Sequence, residues 1–259
     1  MDKYTHGTFC WPELMAGDWT KAKEFYCALF DWQPQDQEIG PDCYYTMLQK
    51  DGLDIGAMYQ MMPEHQEQGM KTNWLSYIAV DSVDEVVAKA KQLGAEIVAG
   101  PHHVHDAGRM AMILEPQGAM FAIWQANKHN GAGVVNQPHS MCWNELASKN
   151  TDKSSDFYTQ LFGWQPLEKN TVGMKYTEFS VAGIPNSGML QMTEEWGDLP
   201  PHWMIYFAVD DCDAYATKAQ GLGATLCVPP TDIPEVGRFA VINDSQGATF
   251  SIIKLLPQL

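Results

Sequence analysis

Hydrophobic and polar positions follow two different periods along this chain. Over residues 18–30 the apolar residues recur every three or four positions, which predicts a helix capped by Asp18 or Thr20. Two alternating segments follow, 44–49 and 55–61, as expected of strands. From residue 74 onward the pattern restarts with a strand, a second helix opened by Asp81 or Ser82 and three more strands.

The whole pattern is present twice. Residues 9–34 align without a gap with residues 141–166, at an offset of 132 and with 12 of 26 positions identical. Near the end of each copy the offset is 129, so Gly108-Arg109 is repeated as Gly237-Arg238. Self-similarity of this kind indicates a duplicated unit, so any site is to be sought in both copies.

Each copy contains two modules of one strand, one helix and two or three strands, so the predicted class is α+β. We expect a first domain over 1–126 with modules at 8–62 and 74–125, and a linker at 127–138. A second domain over 139–259 has modules at 139–192 and 202–255. The pattern leaves open whether the modules pair in chain order or cross over.

Composition narrows the classes of partner. The chain has 16 basic and 32 acidic residues, a net charge of −16, and no Lys/Arg cluster to offset it. Such a surface repels nucleic-acid phosphates and anionic membranes, so we expect neither as a partner. The 45% of apolar residues is enough for two packed cores. A monomer of two pseudo-equivalent domains and a homodimer both remain open.

Cysteine usage and the first residues favour a reducing compartment. Six cysteines show no Cys-x-x-Cys spacing, and the segment MDKYTHGTFCW lacks the apolar run of a secretory signal. We expect a cytoplasmic protein with free thiols.

Specific residues resemble a known superfamily. These are Asp18, Phe25-Tyr26, Leu29-Phe30 and Trp32, their partners Phe157-Tyr158, Leu161-Phe162 and Trp164, and the closing hairpins 115–118 and 244–247. The chain resembles the vicinal oxygen chelate superfamily of glyoxalase I, bleomycin-resistance proteins and extradiol dioxygenases, in particular its tandem glyoxalase-like "hydroxylase" members. The resemblance implies four βαβββ modules paired into two half-open barrels, each lined by inward side chains around a small-molecule cavity.

The resemblance also implies a divalent metal on four inward His, Gln or Glu side chains. Counting from the shared landmarks, those four positions carry no such ligand in either copy. They fall on Trp11, Leu75, Ala122 and Gly56/Ala57 in the first copy, and on Trp143, Met204, Ser251 and Ser187/Gly188 in the second. We therefore predict that neither barrel binds the family metal, and we predict no other cofactor.

Strand alternation predicts what the cavities hold instead, because residues two apart share a face. Glu13 and Glu145 would lie beside Trp11 and Trp143 as candidate catalytic acids or bases, or they only hold their strands by hydrogen bonds. The candidate ligand-binding residues are Trp11, Tyr77, Trp124 and Met58 in the first copy and Trp143, Tyr206, Met189 and Ser251 in the second. For each aromatic residue and methionine, core packing is the competing interpretation.

Two further features allow two interpretations each. The segment His102-His103-Val104-His105-Asp106 is predicted to lie on a loop. It is either a metal site or a solvated segment without a ligand. Arg109 and Arg238 either pair with the abundant carboxylates or line a pocket mouth for anionic ligands.

Three functions remain compatible with these residues. The first is a small-molecule-binding protein without the family metal, with or without enzymatic activity on a small carbonyl or aromatic compound. The second is a metal-dependent glyoxalase-type lyase or a dioxygenase. The third is a non-catalytic protein that sequesters a ligand or fills its own barrels.

Overall fold

A computed structural model describes residues 3–41, 43–171 and 174–257. The first eight strands are β1 (Phe9–Ala16), β2 (Gln33–Gly40), β3 (Cys43–Lys50), β4 (Leu53–Gln60), β5 (Asn73–Ala79), β6 (Glu96–Val104), β7 (Gly108–Leu114) and β8 (Met120–Ala126). The second eight are β9 (Met141–Ser148), β10 (Gln165–Thr171), β11 (Met174–Val181), β12 (Ile184–Gln191), β13 (His202–Ala208), β14 (Thr225–Ile233), β15 (Gly237–Asn243) and β16 (Thr249–Leu255). The helices are α1 (Trp19–Phe30), α2 (Pro63–Glu67), α3 (Val83–Gln92), α4 (Thr151–Phe162) and α5 (Cys212–Gly221), with a 3₁₀ turn at Glu194–Trp196.

The strands form two mixed sheets of eight with the same order. The first is β2-β3-β4-β1-β5-β8-β7-β6, and the second repeats it as β10-β11-β12-β9-β13-β16-β15-β14. Each sheet therefore combines two consecutive modules. The α+β class and the paired modules predicted from the sequence are confirmed, and the modules that share a sheet are consecutive in the chain.

Helix starts agree with the sequence pattern. The side chain of Asp18 accepts the backbone N–H of Lys21 at the start of α1, and that of Ser82 accepts the N–H of Glu85 at the start of α3. The apolar face of α1 is buried as its period predicts. Within the part of the chain that the structure describes, no helix combines the length and apolarity needed to span a membrane.

Three elements differ from the sequence-based prediction. Strand β2 was not predicted because its sequence QPQDQEIG is polar, and seven of its eight residues are exposed. It pairs antiparallel with β3 at the sheet edge, and β10 does the same with β11. His102 and His103 lie in β6 rather than on a loop. The short helix α2 lies between the modules 8–62 and 74–125, where the sequence pattern predicted no element.

Contacts divide the chain into two compact units that are each discontinuous in sequence. The first unit contains Met1–Trp11, Leu75–Gly131 and Trp143–Met204. The second contains Pro12–Trp74, Ala132–Cys142 and Ile205–Leu259. The domain limits 1–126 and 139–259 stay a prediction from the sequence.

The core of the first unit is built on the helix α4. Tyr158 is fully buried and accepts a hydrogen bond from Trp203 Nε1 at 2.8 Å. The carboxylate of Glu115, in the turn after β7, accepts the N–H of Gln117 at 3.0 Å and the hydroxyl of Ser154 at 3.4 Å. Burial and the charge of Glu115 raise the pKa of Tyr158 well above its usual range.

The core of the second unit contains a longer hydrogen-bonded chain. Trp74 Nε1 donates to the Tyr26 hydroxyl at 2.9 Å, and this hydroxyl donates to Asp244 Oδ2, also at 2.9 Å. Asp244 also accepts the backbone N–H groups of Gln246 and Ala248 in the turn between β15 and β16. Tyr26, the tyrosine of the Phe25-Tyr26 pair, therefore links helix α1 to the turn between β15 and β16.

Asp244 should make stability depend on pH. Burial raises its pKa above the usual 3.8, so ionisation disfavours the folded state, and stability should fall as pH rises from about 4 through the folded pKa. Asp244→Asn keeps an acceptor but cannot ionise. Its free energy of unfolding relative to the natural protein should therefore rise across that interval, as measured by urea unfolding at a series of pH values.

The exposed Asp198 provides the matched control. Asp198→Asn should leave the shape of the pH profile unchanged. An Asp244→Asn profile parallel to that of the natural protein would contradict the assignment of this ionisation cost.

Candidate functional site

A tyrosine–glutamate pair is present in both copies. Tyr45 on β3 donates its hydroxyl to Glu13 Oε2 on β1 at 2.6 Å, within the second unit. In the first unit, Tyr176 on β11 hydrogen-bonds to Glu145 on β9. The register explains the equivalence, because Glu13 lies opposite Ala57 and Glu145 opposite Gly188 in the neighbouring parallel strands.

The second-copy pair is extended by a tryptophan. Trp143 Nε1 donates to the Tyr176 hydroxyl at 3.0 Å, which gives a hydrogen-bonded chain from Trp143 through Tyr176 to Glu145. Burial first and the Glu145 charge second raise the pKa of Tyr176 above its usual value. The hydroxyl therefore stays protonated at neutral pH and donates to the Glu145 carboxylate.

Gly188 makes room for this chain. A Cβ atom at this position would overlap the Tyr176 hydroxyl and lie 3.0 Å from Trp143 Nε1. The equivalent residue of the first copy is Ala57, so the close approach of a tyrosine hydroxyl to this strand is specific to the second copy.

The two copies also differ in exposure. Trp11 and Glu13 are only 4% and 8% exposed. Their counterparts Trp143 and Glu145 are half-buried. Solvent, and hence a dissolved molecule, reaches the second-copy chain more readily than the first-copy pair.

Three predicted ligand-binding residues of the first copy form a packed aromatic cluster in the first unit. Trp11 contacts His129 edge-on with 4.5 Å between ring centroids, and Trp124 Nε1 donates to the His129 carbonyl oxygen at 2.9 Å. Tyr77 lies 6.4 Å from the Trp124 ring. All three predicted residues are buried, which fits the competing interpretation of core packing.

The remaining predicted residues are also buried. Tyr206 and Ser251 are opposite each other in the parallel strands β13 and β16 of the second unit. Ser251 Oγ is fully buried with no hydrogen-bond partner among the residues that the structure describes. Met58 and Met189 are at most 1% exposed.

The donor set does not fit the divalent metal that the resemblance implies. Of the eight inward positions, only Ser251 and Ser187 carry a side-chain oxygen, and each is a neutral hydroxyl. Hard divalent ions take carboxylate and carbonyl oxygens, and transition metals also take imidazoles. Over the described ranges, the chain has no group of three His, Cys, Asp or Glu side chains that could hold a metal ion.

Sequence similarity defines the family. The model of the Glyoxalase/Bleomycin resistance protein/Dioxygenase superfamily matches residues 8–123 and again residues 136–252. The chain belongs to this superfamily. The resemblance stated from Phe25-Tyr26, Phe157-Tyr158 and the hairpin turns is thus confirmed.

Within the superfamily, several relatives cover nearly the whole chain. The "Putative glyoxylase CFP32" of Mycobacterium tuberculosis is 38% identical over 99% of this chain and 98% of its own length. The "Anthracycline biosynthesis protein DnrV" of Streptomyces peucetius is 30% identical over 98% of this chain and 96% of its own. The Mn(II)-bound glyoxalase from Novosphingobium aromaticivorans shares the fold, with a TM-score of 0.67, 15% identity and coverage of 96% of this chain and 82% of its own.

Sequence reasoning selected both glutamates of this superfamily member but missed both tyrosines. Tyr45 and Tyr176 are equivalent at an offset of 131, between the two offsets read from the sequence. His129 was also missed, because it lies in the segment interpreted as a linker. An alignment of the strand 43–50 with 174–181 would have shown the repeated tyrosine.

Gly188→Ala should destabilise the protein by about 1–3 kcal/mol, because the new methyl group displaces the Tyr176 ring and separates it from Trp143. Urea unfolding measures this cost. Gly221 ends α5 with open space around its Cβ position, so Gly221→Ala should be neutral or slightly stabilising.

The cost should depend on Tyr176. In a Tyr176→Ala background, Gly188→Ala should cost much less, since the overlapping ring is absent. An equal cost in both backgrounds would show that the overlap with Tyr176 is not the cause.

Proposed function

We propose that this member of the superfamily binds a small planar organic molecule at the hydrogen-bonded side chains of Trp143, Tyr176 and Glu145 in the second copy. Binding would not need the divalent metal that other members of the superfamily use. One observation carries the proposal. The hydrogen-bonded chain is half-buried in the second copy, whereas Trp11 and Glu13, the counterparts of Trp143 and Glu145, are almost completely buried. A half-buried aromatic residue beside a carboxylate is typical of a small-molecule site.

The chemistry of the three side chains sets the ligand class. The Trp143 ring offers an apolar face for a planar ring system. The Glu145 carboxylate accepts a hydrogen bond from a ligand hydroxyl, and the Tyr176 hydroxyl, which donates its one proton to Glu145, orients that carboxylate. The relative named an anthracycline biosynthesis protein supports this class, because anthracyclines contain fused planar rings with hydroxyl and carbonyl groups.

The proposal extends to catalysis without a metal at the same side chains. The Trp143–Tyr176–Glu145 hydrogen bonds would let Glu145 take a proton through the Tyr176 hydroxyl from a bound carbonyl or aromatic compound, as a general base. The relative named a glyoxylase favours catalysis on a small carbonyl compound. A protein that only sequesters its ligand would use the same side chains without turnover.

Alizarin, a planar dihydroxyanthraquinone that absorbs visible light, is a direct probe of binding. Tyr176→Phe should weaken alizarin binding about tenfold, because the Glu145 carboxylate that accepts the ligand hydroxyl loses the hydrogen bond that orients it. An absorbance titration measures the affinity, and thermal unfolding of each variant verifies the fold.

Tyr45→Phe is the matched control, since it breaks the equivalent pair in the first copy, where Glu13 is buried. It should leave alizarin binding unchanged, and Glu13→Gln and Glu145→Gln should show the same contrast. Equal losses in both copies, or none at Tyr176, would overturn the placement of the site. Conversion of a small carbonyl substrate that is abolished by Glu145→Gln would support the enzymatic extension.

Elemental analysis tests the metal-dependent alternative. Untagged protein purified without chelator should carry well under one divalent ion per chain, because the eight inward positions offer only two neutral hydroxyls. Stoichiometric metal that is released together with a bound ligand would favour a metal-dependent lyase or dioxygenase instead.

A further inference from the structure

A surface pocket in the first unit has an unusual concentration of basic groups for such an acidic chain. Its volume is about 340 Å³. It shares no lining residue with the Trp143–Tyr176–Glu145 site and is lined by Lys3, His103, His105, Arg109, Gln125 and Asn127, together with Gly108 and Ala126. Two of these residues are permanently cationic and two are histidines, in a protein with a net charge of −16.

The Arg109 guanidinium is only partly neutralised. Its Nη2 donates to Asp84 at 2.8 Å. Its Nε is buried and has no hydrogen-bond partner among the described residues. A buried donor of a charged group without an acceptor is costly, so Asp84 satisfies Arg109 only in part and leaves its charge less neutralised.

The second copy shows how the same arginine is neutralised. Arg238 donates from Nε and Nη2 to Asp213 at 2.7 and 2.9 Å, and from Nη1 to Asp232 at 3.0 Å. Asp213 is the counterpart of Asp84. Asp232 lies directly opposite Arg238 in the paired strands β14 and β15.

The position of Asp232 is occupied by a histidine in the first copy. His103 lies directly opposite Arg109 in the paired strands β6 and β7. The exchange removes one carboxylate from Arg109 and leaves the pocket with an excess of donors. The nearby carboxylate of Asp106 is itself paired with Lys128 at 2.7 Å.

From these contacts we propose that the pocket of Lys3, His103, His105 and Arg109 binds a phosphate group, either as free phosphate or as part of a phosphate monoester. The guanidinium of Arg109, paired with Asp84 through Nη2 alone, supplies one positive charge, and Lys3 supplies a second. The two histidines and the Asn127 amide, one N–H of which donates to the Asp106 carbonyl oxygen at 2.8 Å, add further donors to the lining of the pocket. This site is independent of the ligand proposed for Trp143 and Glu145.

Phosphorus NMR of inorganic phosphate tests the proposal in buffer of constant chloride concentration. Phosphate should bind to the natural protein, and Arg109→Gln should weaken this binding about tenfold. His103→Asp, which copies the second-copy arrangement, should weaken it as strongly. Arg238→Gln is the matched control and should leave it unchanged, and thermal unfolding verifies that each variant is folded.

Two outcomes would overturn the proposal. One is the absence of phosphate binding to the natural protein, and the other is an equal effect of Arg109→Gln and Arg238→Gln, which would indicate non-specific attraction. Methyl phosphate distinguishes the two sources, since comparable affinity supports a monoester and much weaker affinity supports free phosphate. Acetate at the same concentration should not displace phosphate, and displacement would contradict the selection for a phosphate group.

Discussion

The hydrogen-bonded chain from Trp74 through Tyr26 to Asp244 is the constraint on which the second unit depends. A buried hydroxyl and a buried carboxylate each need partners, so helix α1 can pack only where Tyr26 meets the hairpin turn. Strand β1, which contains Glu13, leads directly into α1 through the Asp18 cap. The packing of α1 in the core therefore also fixes the position of β1 and of Glu13. In the first unit, the hydrogen bond from Trp203 to Tyr158 constrains the packing of α4 in the same way.

Much of this architecture could be predicted because the responsible residues are apolar and periodic. The buried face of α1, the caps Asp18 and Ser82 and the repeat itself follow from pattern alone. The edge strands β2 and β10 could not be found in this way, since their stability comes from pairing with a neighbour and their side chains face solvent. Local propensity contains no information about that partner.

The candidate site was only half predictable for a related reason. Glu13 and Glu145 are in the gapless part of the repeat, where alternation with Trp11 and Trp143 is visible. Tyr45 and Tyr176 come from strands distant in sequence, and only the register brings them to the glutamates. The duplicated pair then diverged in its surroundings. The first copy is closed by packing, and the second remains accessible beside Gly188.

The discontinuity of the two units has a consequence for synthesis on the ribosome. The segment Pro12–Trp74 emerges early, yet the rest of its unit includes Ile205–Leu259 at the end of the chain. Until Phe207 and Phe250 arrive, the rings of Phe30 and Tyr26 lack their final neighbours. Nascent chains of this protein therefore carry an uncovered aromatic surface through most of translation, the kind of surface that chaperones bind.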